Sequence, residues 1–229
     1  MKKLSIFTAL LLTAFLFTGC SSFVGEPDCG GEVPSVLRFQ SLEELRILDT
    51  LIDGAPQALE DYYNEDIWSL DCGNVEQVVE LFGRMENVVI PYPKKSENME
   101  VTYIHYSSLH DGADIWYKKG KVLFTAKVWP YNEINVYDMW SEGYRNREAV
   151  YQWNIAGTEY PVYQSNHERD FEFYRSYIFL ENYQIVFTID KARDEEKDDF
   201  YDASYEDVDL SDLENFEFLT VKEVLDRME

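Results

Sequence analysis

Apolar positions recur along the chain at two spacings, and the change between them falls near Asn87. Before it, Leu42, Leu45, Leu48, Leu51 and Ile52 sit three or four residues apart, the repeat that lines one stripe of a helix. Ser41 and Glu44 open this run as an S-x-x-E capping box, in which each side chain satisfies a backbone N–H that the first turn leaves without a partner. Gly54 and Pro56 close it. A second run starts at Asn74 with Gln77 three residues later and continues through Val75, Val78, Val79 and Phe82 to Gly83. The stretch 59–70 reads as a further helix.

After Asn87 the period falls to two. Val101, Tyr103 and His105 alternate with Thr102, Ile104 and Tyr106, and Val122, Phe124, Ala126 and Val128 alternate with Lys121, Leu123, Thr125 and Lys127. Residues 115–119, Gly120 and the strand from Lys121 predict a hairpin. Strands are also predicted over 149–155, 158–164, 171–181 and 183–189, with turns at Ala156 and Gly157 and at Glu181 and Asn182. Pro161 cannot donate to a ladder and demotes its strand to an edge or an edge segment. Thr220 and Glu223 form a last capping box before a short terminal helix through Val221, Val224, Leu225 and Met228. Turns this short force antiparallel pairing, because parallel neighbours need a crossover of a dozen residues or more. The expectation is an α+β domain: an antiparallel sheet of about six to eight strands, with the N-terminal helices and a short C-terminal helix packed on one face. Residues 114–130 and 174–190 share an aromatic hairpin character that suggests an internal duplication.

The first residues follow neither period. Lys2 and Lys3 precede an apolar run from Leu4 to Phe17, then Thr18, Gly19 and Cys20, the layout of a secretion signal. The 14-residue run falls short of the roughly 20 needed to span hydrocarbon. The string LFTGC resembles the lipobox of bacterial lipoproteins, with Phe17 where that family usually has Leu. The resemblance covers this first tenth of the chain and implies that Cys20 is the acylated N-terminus of a membrane-anchored, extracytoplasmic protein. On this reading residues 1–19 are the signal peptide, 20–35 a lipid anchor and flexible linker, and 36–229 a single α+β domain of the cell envelope. Cys29 and Cys72 then remain, an even count compatible with one disulfide in an oxidising compartment, with two free thiols as the alternative.

Charge narrows the function classes. Forty-four acidic residues stand against 20 basic ones, a formal charge of −24, which excludes a phosphate-tracking nucleic-acid binder and leaves the lipid anchor as the contact with membrane. Aromatic residues make up 16%, too many for a disordered acidic tail. The three histidines, His105, His110 and His167, fall in no HExxH or CxxC context, and no GxSxG elbow or SxxK pair is present. The stretch 190–212 holds 11 acids and 3 bases. As a calcium loop it fails, because Asp212 stands where an EF-hand requires Gly and Phe218 where it requires Glu. It reads instead as a solvated, mobile acidic loop.

Among Trp116, Trp129, Trp140 and Trp153, the first two fall on the more polar faces of their strands and are the candidate aromatic binding surface, against the commoner role of indoles as buried packing. No catalytic residue and no cofactor is assigned, and a metal site is left open. The expected function is a binding or interaction module taking a cationic or glycan envelope ligand. The alternative is an exported carboxylate-dependent hydrolase, cation-assisted or not.

Overall fold

In the computed structural model the described residues are 35–54, 56–65, 70–94, 99–131, 147–165, 172–194 and 199–228. They begin with a short strand β1 (Val36–Phe39), then helices α1 (Leu42–Gly54) and α2 (Pro56–Glu65), strand β2 (Leu70–Asp71) and helix α3 (Val75–Met85). Strands β3 (Val89–Pro93), β4 (Glu100–Ser107), β5 (Gly112–Lys119), β6 (Val122–Pro130), β7 (Tyr151–Ile155), β8 (Thr158–Gln164), β9 (Glu172–Phe179) and β10 (Tyr183–Lys191) follow. The chain continues through β11 (Arg193–Asp194), β12 (Asp199–Phe200), two 3-10 turns (Tyr205–Asp207 and Leu210–Asn215), β13 (Phe216–Thr220) and α4 (Val221–Asp226).

The caps form as their sequences dictate. Ser41 Oγ accepts from the Glu44 N–H at 3.2 Å, and the Glu44 carboxylate accepts from the Gln40 N–H at 2.7 Å. At α3, Asn74 accepts from the Gln77 N–H at 2.8 Å, while Gln77 reaches past the cap to the N–H of Gly73 at 2.6 Å. At α4 the Thr220 and Glu223 box is complete.

Nine strands form one antiparallel sheet in the order β2-β1-β4-β5-β6-β10-β9-β8-β7. Two meanders, β4-β5-β6 and β8-β9-β10, meet along the β6–β10 ladder, so the two hairpins of similar character lie side by side. One face of the sheet carries Leu37, Ile104, Ile115, Tyr117, Phe124, Ala126, Ile185, Phe187 and Trp153. These pack in a single core with Leu45 and Leu48 of α1, Val78, Phe82 and Met85 of α3, Val224 and Leu225 of α4, and the β3–β13 ribbon. Phe216 of that ribbon meets Tyr117 edge to face at 5.3 Å and Phe187 at 5.2 Å. The fold is α+β, with the described helices on one sheet face.

Several boundaries depart from the periodicity. The helix expected over 59–70 ends by Glu65, and Leu70 instead enters β2. Strands β1, β3 and β13 carry too few alternating positions to stand out, and β3 holds Pro91 and Pro93, tolerated because it pairs on one side only, with β13. Pro161 lies in β8, an internal strand, yet at the end of the β8–β9 ladder, which covers Val162 to Gln164. It is an edge segment within an internal strand, and its carbonyl accepts from Ser176 Oγ at 3.0 Å.

The acidic stretch is built rather than loose where it is described. Asp207 caps the turn begun at Ser204, Asp209 caps the next at Ser211, and Asp212 is buried against Lys119 Nζ, both carboxylate oxygens at 2.6 Å. Tyr205 lies edge-on to Phe173 and Tyr174. Asp207 and Asp209 serve as local caps and Asp212 as an ion-pair partner, while Asp199, Asp202 and Glu206 remain exposed, so the stretch is ordered in part and solvated in part.

Candidate functional site

The face of the sheet opposite the helices gathers polar and aromatic side chains in rows that run across the strands. One row joins residues directly opposite one another in successive ladders: Tyr103, Trp116, Thr125, Thr188, Arg175 and Tyr163. The next joins Arg38, His105, Asp114, Lys127, Val186 and Tyr177. Directly opposed side chains on one face lie about 5 Å apart, so each row is a contiguous strip.

Two bulges set this arrangement. Between Val101 and Tyr103 the β4–β5 register shifts, with Thr102 as the extra residue, so Val101 turns to the core with Ile104 and Tyr106 while Tyr103 and His105 face outward. Simple alternation would have kept Val101, Tyr103 and His105 together. Between Ile189 and Asp190 the β9–β10 register shifts as well. Phe173 and Tyr174 both enter the core, and Glu172 comes to stand opposite Asp190.

At the β4–β6 end of the face the Trp116 ring is tilted 47° to Tyr103, with centroids 4.8 Å apart, and is 39% exposed. Tyr103 stacks on His105 at 6.1 Å and 6°. Burial pushes the His105 pKa down, the nearby Asp114 carboxylate opposing and Arg38 and Lys127 reinforcing, which keeps the imidazole neutral at pH 7. Asp114 sits between His105 and Lys127, and burial raises its pKa against the pull of both.

Towards β9 and β10 the face closes into a hydrogen-bonded chain. Thr188 Oγ1 donates to Asp190 Oδ2 at 2.7 Å and lies 2.6 Å from Thr125 Oγ1. A hydroxyl has one proton to give, so with Thr188 donating to Asp190, Thr125 is the donor to Thr188. Glu172 is paired with Arg175, and both are largely buried. Burial, with Glu172 adding to it, raises the Asp190 pKa to about 7 against the opposing effects of Thr188, Arg175 and Lys127. A small apolar cluster of Tyr177 and Val186 lies beside this chain, with Trp129, Tyr163 and Phe179 packed on it.

The two candidate tryptophans therefore share the open face but not a role. Trp116 is exposed, whereas Trp129 is half-buried on the Tyr177 and Val186 cluster. Its ring lies over Gly112, where a Cβ would meet Trp129 Cδ1 at 2.9 Å. Trp153 is fully buried among Phe187, Phe216 and Phe218. Its indole N–H finds no hydrogen-bond partner.

Cys20, Cys29, Trp140 and His167 lie outside the described residues. Cys72 is half-buried, its Sγ 3.9 Å from the Val36 carbonyl, and burial raises the thiol pKa. His110 is exposed in the β4–β5 turn, away from the rows. Among the described residues no group of three His, Cys, Asp or Glu converges as a metal site, and no helix is long and apolar enough to cross a membrane. Asp114, Lys127, Thr125, Thr188, Glu172 and Asp190 carry no motif. The first four sit on the polar phase of β5, β6 and β10, which alternation alone could have singled out, but the pairing of Glu172 with Asp190 depends on a bulge. Comparison with protein-family models, with curated proteins and with solved structures finds no match to this chain.

Proposed function

We propose that the chain is a lipid-anchored, extracytoplasmic binding module, and that its ligand-contact surface is the sheet face opposite the helices, centred on Trp116. The LFTGC string and the apolar run before it support the anchoring. One observation carries the choice of surface: a large indole stays 39% exposed beside Tyr103, with Asp114 and Lys127 in the adjoining row, on a face that none of the described helices covers. An exposed aromatic flanked by groups that donate and accept hydrogen bonds is the composition of a recognition surface.

Two measurements test this reading. Mass spectrometry of the native product is expected to find residues 1–19 removed and Cys20 acylated; their retention overturns the anchoring. Immobilised full-length chain is expected to retain material from isolated membranes or cell-wall polysaccharide. The double variant Trp116→Ala, Lys127→Glu is expected to lose it, and equal retention by that variant overturns the surface.

A second reading, an exported hydrolase using carboxyl groups, is favoured by the pairing of Asp190 with Glu172. One carboxyl is held protonated up to about pH 7 beside another paired with Arg175. That is the pattern of separated acid and base roles. Release of reducing ends from oligosaccharides, abolished in Asp190→Asn, would favour it over a pure binding module.

A further inference from the structure

Resting on the sheet-face reading above, we infer that the ligand at Trp116 is an uncharged saccharide, with one pyranose ring lying on the indole. The rings, the charges and the hydrogen-bonding groups around Trp116 each bear on this choice.

Two rings form the aromatic element, Trp116 and Tyr103, meeting at 47°. The other neighbour of Tyr103 is His105, stacked parallel to it and kept neutral by burial. Among the described residues Trp116 thus meets one ring, not a cage of several. This suits a flat ligand laid on one indole face better than an ammonium group enclosed by several rings.

The charges decide between ligand classes. On the same face Lys118 lies two residues along the strand from Trp116, Lys127 sits in the adjoining row, and Arg38 neighbours Tyr103. Around Trp116, among the described residues, the acidic groups are Asp114, Glu100 opposite Lys118, and Asp71, which is paired with Arg38 at 3.8 Å, while Arg175, Glu172 and Asp190 lie on the β9–β10 side of the face. Three bases and three acids balance locally in a chain that carries −24 overall. With three acids beside three bases the platform gives a cationic ligand no net pull of its own, and only the chain as a whole attracts it. An anionic ligand would be repelled by the field of the entire chain before reaching the platform. An uncharged ligand needs no net pull and meets no repulsion, which is what a locally balanced surface suits.

The polar groups match what a sugar offers. Asp114 accepts hydrogen bonds and Lys127 donates them, side by side next to the indole. A pyranose has an apolar C–H face for the ring, whose π face is electron-rich, and hydroxyls around its edge that both donate and accept.

The test is isothermal titration of the full-length chain in detergent with N-acetylchitohexaose and cellohexaose, and separately with choline and trilysine. Saturable binding of at least one oligosaccharide is expected. Trp116→Ala should weaken it about tenfold or more, Trp116→Phe should keep most of it, and Lys127→Met should weaken it several-fold, in line with an aromatic anchor and flanking polar contacts. Because Trp116 is exposed, these variants are expected to keep the wild-type circular dichroism, so a loss reads on binding. Failure of both oligosaccharides to bind, or binding that Trp116→Ala leaves unchanged, overturns the inference. Binding of choline or trilysine that Trp116→Ala abolishes also overturns it, while leaving the sheet face standing as the contact surface. A ligand whose binding survives both Trp116→Ala and Lys127→Glu overturns the surface itself.

Discussion

Asp190 of β10 and Glu172 of β9 stand directly opposite each other, two carboxyl groups in one cross-strand pair brought into register by the bulge at Phe173. Like charges in this position destabilise a sheet, and here the pair survives because Arg175 holds Glu172 and Asp190 keeps its proton up to about pH 7. A buried carboxyl whose folded pKa lies above its unfolded value of about 3.9 binds more protons when folded, so stability falls as pH rises between those two values. Below that window the group is protonated in both states and contributes nothing. Asp190→Asn, which keeps an acceptor for Thr188, is expected to flatten this slope. Against wild type it should gain about 1 to 3 kcal/mol at pH 8 and nothing at pH 4, read from urea unfolding at both pH values.

The tryptophans on the two sheet faces make a second comparison. Trp153 has no exposed surface and touches Phe187 at 5.0 Å and Phe218 at 5.7 Å, so Trp153→Ala should cost about 3 to 5 kcal/mol. Its indole N–H makes no hydrogen bond, so Trp153→Phe forfeits volume but no polar contact and should cost only about 1 to 2 kcal/mol. Trp116→Ala on the open face should stay within about 1 kcal/mol. Chemical denaturation of the three variants orders them, and a Trp116 cost equal to that of Trp153 would place Trp116 in the core.

The capping residues Ser41, Asn74 and Thr220 announced three helices because each cap is a local contact between residues three apart. The hairpins announced the sheet for the same reason: a two-residue turn fixes antiparallel pairing without knowledge of anything distant. What alternation could not supply is where it breaks. Thr102 and Phe173 carry no mark as extra residues, and the bulges around them decide that Tyr103 faces Trp116 and that Glu172 faces Asp190. Strand β13 was hidden because it runs straight into the Thr220 cap and finds its partner β3 more than a hundred residues earlier. The candidate site was legible in part, as the polar phase of β5 and β6 that holds Trp116 and Trp129. That Trp116 alone stays exposed follows from Tyr177 and Val186, which reach Trp129 across ladders that join distant segments.

The β7–β8 turn holds Ala156 at φ +49° and Gly157 at φ +89°, with Asn154 Oδ1 accepting from the Gly157 N–H at 3.0 Å. Positive φ at both central positions is the primed turn that matches the twist of a hairpin. Alanine pays a steric cost there that glycine does not. Ala156→Gly relieves it and loses part of the gain to the freer unfolded chain, for a net stabilisation of about 0.5 to 1 kcal/mol. In a protein of this size that is a rise in Tm of about 1 to 4 °C by calorimetry.

Gly112 opens β5 where Trp129 of the neighbouring strand lies across the backbone. A Cβ at this position would come within 2.8 Å of the Val128 carbonyl oxygen and 2.9 Å of Trp129 Cδ1. The indole could swing aside but the carbonyl belongs to the β5–β6 ladder and cannot, so Gly112→Ala must strain the ladder as well as displace the ring. The expected cost is about 1 to 3 kcal/mol. The displacement has its own signature, because Trp129 packs on Tyr177 and Val186. Near-ultraviolet circular dichroism should change in Gly112→Ala while the far-ultraviolet spectrum is retained. Saccharide binding at Trp116, two cross-strand rows away, should fall far less than in Trp116→Ala. A loss of equal size would mean that Trp129 belongs to the same contact surface.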